Sequence, residues 1–239
     1  MCIDEKKHNE ILKKIGITKP IIIGRGGHAL AYSYKKDEIL KICMKVVGFE
    51  NAEDFKNTTD NVIFSENSIK FLKINRILYE DEEYFAYTQK KIDKKLKHEN
   101  SDWDFTISLF YFIKDLLENK LWIQDIGMQN FGIINDKKYL FDFHDLKKIE
   151  RMIGAENKCV VCRLLNMSSI SKKGVWYADF KTTPPRQWWK TAKDDGFGEK
   201  YFGDPKLTDA ICSLIKFNNN KDIESSINKI EEFINENKK

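Results

Sequence analysis

The sequence predicts an α+β fold, in which a small antiparallel sheet with one packed helix leads into a mainly helical second half. Three observations carry that prediction. Short β-branched and apolar runs bounded by turn formers crowd residues 21–47 and 76–89. Apolar residues recur at helical spacing over 62–74 and 106–118. No repeat, proline-rich linker or low-complexity run divides the 239 residues, which are enough to bury a real core.

In chain order, residues 5–16 read as a short helix with Ile11, Leu12 and Ile15 on one face. Ile21 to Ile23 and Ala29 to Tyr34 read as strands either side of a glycine-rich break. Glu38 to Val47 reads as a third, whose apolar residues bracket Lys41. A helix is expected over Val62 to Ile74, with Glu66 in its first turns. Arg76 to Asp81 and Tyr84 to Gln89 should form a hairpin turned at Asp81-Glu82-Glu83. Thr106 to Glu118 is apolar nearly all round, which suits a helix buried on most sides. A tight loop from Trp122 to Asn130 is followed by a second hairpin, Phe131 to Asn135 and Lys138 to Phe143, around Asp136-Lys137. Helices are expected near 155–167, 205–217 and 221–237, with an aromatic-rich irregular stretch over 174–203.

With 33% charged and 41% apolar residues, the composition is that of a soluble globular protein rather than a disordered one. The 41 basic residues are nearly balanced by 37 acidic ones, and the basic pairs are short and scattered, so nucleic acid is not the expected partner. Five cysteines at irregular spacing argue against a disulfide framework and for a reducing compartment. Cys159-Val-Val-Cys162 lacks the further ligands a zinc site needs and reads as buried thiols. The first fourteen residues have no apolar signal core, and no run approaches the roughly 20 apolar residues that span a bilayer. The expected location is the cytoplasm, or a host cytosol into which the protein is delivered.

The chemistry concentrates in three places. Gly24, Gly26 and Gly27 lie between the first two strands, where glycine lets backbone N–H groups approach an anion closely. Lys41 stands in an apolar strand; on the inner face it could neutralise a phosphate. Asp125-Ile126-Gly127-Met128-Gln129-Asn130 is followed, twelve residues beyond Asn130, by Asp142-Phe143. Phosphoryl transfer needs a carboxylate to receive the acceptor's proton and hard oxygens to hold magnesium on the phosphates. A loop and a returning hairpin would supply both.

Together these segments resemble a minimal, divergent member of the protein-kinase-like superfamily. Gly24-x-Gly26 with Ala29, Ala31 and Tyr32 is similar to the G-x-G-x-x-G-x-V loop, alanine replacing the third glycine and the valine. Ile39-Leu40-Lys41 resembles V-A-I-K, and Glu66 falls where the lysine's helical glutamate partner is expected. Ile123-Gln124-Asp125 stands for H-R-D with the spacing to Asn130 kept, and Asp142-Phe143-His144 stands for D-F-G. The likeness covers 20–146. It departs at Gln124, which replaces the arginine that receives an activation-loop phosphate, at His144, which replaces glycine, and in lacking A-P-E.

The resemblance implies a bilobal protein-kinase-like fold, with a first lobe and hinge over 1–93 and a reduced, mainly helical lobe over 94–239. It implies ATP and Mg²⁺ in the cleft between them. Ile23 and Ala31 would face the adenine, and the hinge around Gln89 to Lys91 would bond it. The turn Gly24-Arg25-Gly26-Gly27 would cover the phosphates. Lys41, held by Glu66, would grip them, Asn130 and Asp142 would hold the metal, and Asp125 would orient the acceptor hydroxyl. With all of these positions kept, an active phosphotransferase resembling a serine/threonine kinase is expected. The alternatives are a small-molecule kinase of the aminoglycoside or lipopolysaccharide type, which usually has histidine where Ile123 stands, and a nucleotide-binding scaffold that meets a partner through Trp176, Trp188 and their aromatic neighbours.

Overall fold

The computed structural model of the chain describes residues 4–26, 29–46, 48–96, 103–123, 126–151, 210, 213, 214 and 219–237. Asp4 begins helix α1 (Glu5–Lys14) by accepting the N–H groups of Lys6 and Lys7 at 3.0 and 3.2 Å. Strands β1 (Ile21–Arg25), β2 (Ala29–Lys35) and β3 (Glu38–Met44) follow. With β5 (Ile74–Glu80) and β6 (Tyr84–Lys90) they form an antiparallel sheet in the order β1-β2-β3-β6-β5. Asp81 fixes the β5–β6 hairpin by accepting the N–H groups of Glu83 and Tyr84.

Strand alternation assigns the two faces of this sheet. Leu40 and Ile42 of β3 join Leu30, Tyr32, Tyr84 and Ala86 in a cluster that α1 covers with Ile11 and Leu12. Ala29, Cys43, Phe85 and Tyr87, on the other face, belong to the main core. Lys41 shares the parity of Cys43 and so lies on this inner face, 3% exposed.

His8 of α1 is buried and bonded to the Tyr32 hydroxyl at 3.2 Å. Burial pushes its pKa down, and the nearby Asp4 and Glu5 only partly offset this. A group whose folded pKa is depressed in this sense must charge against its surroundings as pH falls below its unfolded value, near 6.5. The helix–sheet contact is therefore expected to be fully stable above that pH and to weaken progressively below it. His8→Phe should flatten the dependence of the melting temperature on pH between about 7 and 5; an unchanged slope would remove His8 as its source.

The first helix after the sheet strands is displaced from the expected position. Val62 to Ile74 is not helical; helix α2 spans Ala52–Asp60 instead. Asn51 accepts the Asp54 N–H at 2.8 Å, Asp54 reaches back to the Glu50 N–H, and Ala52, Phe55 and Thr59 form the buried face. Over 62–74 the backbone is claimed from outside. Asp115 accepts both the N–H and hydroxyl of Ser65, and β4 (Lys70–Phe71) pairs in parallel with Tyr139 and Leu140.

A two-residue strand, β7 (Lys94–Lys95), precedes helix α3 (Trp103–Glu118). Phe105, Leu109, Phe110, Phe112, Ile113, Leu116 and Leu117 of α3 are all buried, as its all-round apolar character predicts. Strand β8 (Leu121–Ile123) and a 3-10 turn (Met128–Asn130) lead into hairpin β9 (Phe131–Ile134) and β10 (Lys137–Leu140). Asn135 and Asp136 turn that hairpin with φ of 47° and 61°, a left-handed conformation that Asn and Asp tolerate. Strand β11 (Leu146–Lys148) pairs with β8, so Ile123 lies opposite Leu146. The expected terminal helix is present as α4 (Asn220–Asn237), packed on α3 with Phe110 and Phe233 rings 4.8 Å apart. The helix expected at 155–167, most of that at 205–217, the C-x-x-C pair and the aromatic stretch lie outside the described residues. Among the described residues no helix is long and apolar enough to cross a membrane.

Candidate functional site

Buried Lys41 meets the partly buried Asp142 on the inner face of the sheet. The Lys41 ammonium donates to the Phe141 carbonyl at 2.6 Å and pairs with Asp142 Oδ1 at 3.4 Å. Phe143 turns the other way and packs on Phe55 of α2 and Phe71 of β4, with ring centroids 5.7 and 4.8 Å apart. The core thus anchors Phe143 while the preceding carboxylate faces the lysine. Burial opposes ionisation of Asp142, but the Lys41 charge and a hydrogen bond from His144 outweigh it and hold the carboxyl well below the usual range. His144 Nδ1 lies 3.1 Å from Asp142 Oδ1. Its imidazole is disfavoured as a cation by burial, yet the Asp142 carboxylate raises its pKa overall. Only the departure from glycine at position 144 pointed to this contact.

The β9–β10 register brings Asn130 to the same end of the hairpin. Leu140 lies opposite Phe131, and the Phe141 N–H donates to the Asn130 carbonyl at 2.9 Å, one residue before Asp142. Asn130 is buried. Lys41 and His144 both contact Oδ1 of Asp142, so the donor set suits Mg²⁺ through the other carboxylate oxygen and the Asn130 amide. Among the described residues no group of three or more His, Cys, Asp or Glu could hold a metal. Magnesium carried on phosphates needs only one or two protein carboxylates.

The glycine-rich turn also fits a phosphate-bearing ligand. Among the described residues neither Gly24 nor Gly26 adopts a positive φ, and a Cβ on either would meet its nearest atom at an ordinary 3.5 Å. The protein's own packing therefore does not demand glycine there. A Cβ on Gly24 would stand beside Ala31, which lies opposite Lys41 across β2 and β3, and would fill space in front of the sheet's inner face. Ile23 is 47% exposed at a bulge in the β1–β2 pairing, Arg25 is tied to Glu5 of α1 at 2.7 Å, and Gly27 lies outside the described residues.

Two expectations are corrected. Glu66 is exposed in a turn rather than on a helix, and Asp142 is Lys41's ion-pair partner among the described residues. The acidic residues of α2 are engaged elsewhere: Asp54 pairs with Lys148 of β11 at 3.3 Å, and Glu53 and Asp60 pair with Lys56. Glu66→Ala should leave nucleotide affinity unchanged and shift stability by no more than about 0.5 kcal/mol; a large loss of affinity in a binding titration would restore Glu66 to the site. Where a hinge was expected, Gln89 is interior to the sheet, opposite Ile39 and Ile74, and its side chain donates to the Leu72 carbonyl. The Lys91 N–H donates to Asp37 at 2.8 Å, so neither group expected to read adenine offers a spare backbone donor in the expected way. Asp125 lies outside the described residues; its neighbours Ile123 and Ile126 are buried on either side.

No protein-family model matches the chain, and no curated protein matches it in sequence. In structure it is similar to vaccinia related kinase 3, with a TM-score of 0.55 over 90% of this chain and 86% of that one, at 9% identity. At that identity the likeness shows the fold alone: the chain has a protein-kinase-like α+β fold.

Proposed function

We propose that the chain is an ATP- and Mg²⁺-dependent phosphotransferase resembling a minimal serine/threonine protein kinase. The observation that carries this reading is the pairing of buried Lys41 with partly buried Asp142, with the Asn130 backbone one hydrogen bond away and a glycine turn that packing does not explain beside Ala31. Lys41 binds the α- and β-phosphates, while Ile23 and Ala31 flank the adenine. Asn130 and Asp142 hold Mg²⁺, which when bound neutralises charge on the phosphates. Asp125 orients the acceptor hydroxyl and takes its proton as the oxygen bonds to the γ-phosphorus and the bond to the β-phosphate oxygen breaks.

The test is incubation of the full chain with Mg²⁺ and ATP labelled in its terminal phosphate, against Ser/Thr peptides and a panel of aminoglycosides. Label on a peptide hydroxyl supports the proposal, and label on an aminoglycoside assigns the small-molecule alternative. Nucleotide binding with no loss of label from ATP would identify a scaffold and overturn the catalytic reading.

A further inference from the structure

A second recess, sharing none of the residues proposed above to hold nucleotide or metal, opens between the end of α2, β4 and the β9–β10 turn. It is a groove of about 580 Å³. Leu72 and Ile134, each about 5% exposed or less, lie along its floor. Its walls carry the exposed lysines Lys70, Lys73, Lys90 and Lys137. None of these four makes an ion pair or side-chain hydrogen bond among the described residues. Elsewhere Lys7, Lys45, Lys56, Lys114 and Lys148 all have carboxylate partners. The one acidic side chain on the groove wall, Asp60, is already engaged by Lys56 at 3.0 Å.

Four ammonium groups lining one recess repel one another, an effect that salt screens. An anionic occupant relieves the repulsion, and the apolar floor specifies what kind. Phe64, Phe71 and Tyr139 also line the groove, but a nucleic-acid strand would need a longer basic track than four lysines supply. A cationic rim over a short apolar floor matches a peptide with acidic residues flanking an apolar anchor.

We propose that this groove docks an acidic peptide segment of a partner protein, with one or two aliphatic side chains seated over Leu72 and Ile134. The expected behaviour of the full chain is saturable, salt-sensitive binding of a fluorescein-labelled peptide of alternating Glu and Leu, followed by anisotropy. Lys70→Glu combined with Lys137→Glu should weaken it by about tenfold or more, while the melting temperature and ATP binding stay unchanged because both side chains are exposed and outside the nucleotide site. Poly-glutamate lacking leucine should bind more weakly than the Glu–Leu peptide. Absence of peptide binding, binding indifferent to the charge reversals, equal binding of poly-glutamate, or tighter binding of mixed-sequence single-stranded DNA would each overturn the proposal.

Discussion

Asp142→Asn is expected to abolish the magnesium-dependent part of the stabilisation that ATP gives this chain. The Asp142 carboxylate is held ionised by Lys41 and His144, and those contacts use Oδ1, leaving Oδ2 as the hard anionic oxygen for a metal. An amide in its place keeps the shape but loses the charge that competes for Mg²⁺ against water. A nucleotide at 100 times its dissociation constant adds about 2.7 kcal/mol, or roughly 5–10 °C in melting temperature for a chain of this size. The substitution also leaves Lys41 buried without its counter-charge, and breaking a buried pair costs about 3–5 kcal/mol. The readout is therefore the difference with and without Mg²⁺ at fixed ATP on each protein, from which that baseline loss cancels. A variant keeping the full magnesium-dependent shift would remove Asp142 from the metal site.

Asp125→Ala separates chemistry from binding. The aspartate of this loop faces the acceptor hydroxyl in the proposed mechanism, while the lysine and the metal hold the nucleotide. Affinity for ATP should stay within a few-fold of wild type and turnover should fall by about 10²–10⁴, the usual contribution of a positioned base. Equilibrium titration with ATP and an initial-rate assay on the identified acceptor give the two numbers. Wild-type turnover in the variant would make the D-x-x-x-x-N spacing an accident of sequence.

The strands were legible because their signals are local. Alternation and turn residues place β2, β5 and β6 within a residue or two and β3 within three, and they put Lys41 on the same face as Cys43. The second hairpin was legible for the same reason, and with it the juxtaposition of Asn130 and Asp142, although it turns at Asn135-Asp136 rather than Asp136-Lys137 and its second strand ends at Leu140. Helix α2 was misplaced because Ile63, Ile69, Phe71 and Leu72 fit a helical period by chance, whereas Ser65 answers to Asp115 fifty residues away. Asn51-x-x-Asp54 was the available signal, a cap followed by an acidic first turn. That error carried Glu66 into the site, since its role was inferred from a helix that forms elsewhere. The engagement of Lys91 with Asp37 and of Gln89 with Leu72 depends on how the end of β6 packs, which no periodicity encodes.

The most direct test of the account is a time course of terminal-phosphate release or transfer from labelled ATP by the full chain, run with Mg²⁺ and with excess chelator. The account predicts label leaving ATP only when Mg²⁺ is present, with the rate lost in Asp125→Ala and in Asp142→Asn. Label that stays on ATP in the wild-type chain under saturating Mg²⁺ and nucleotide, or that leaves equally fast from Asp125→Ala, would contradict it.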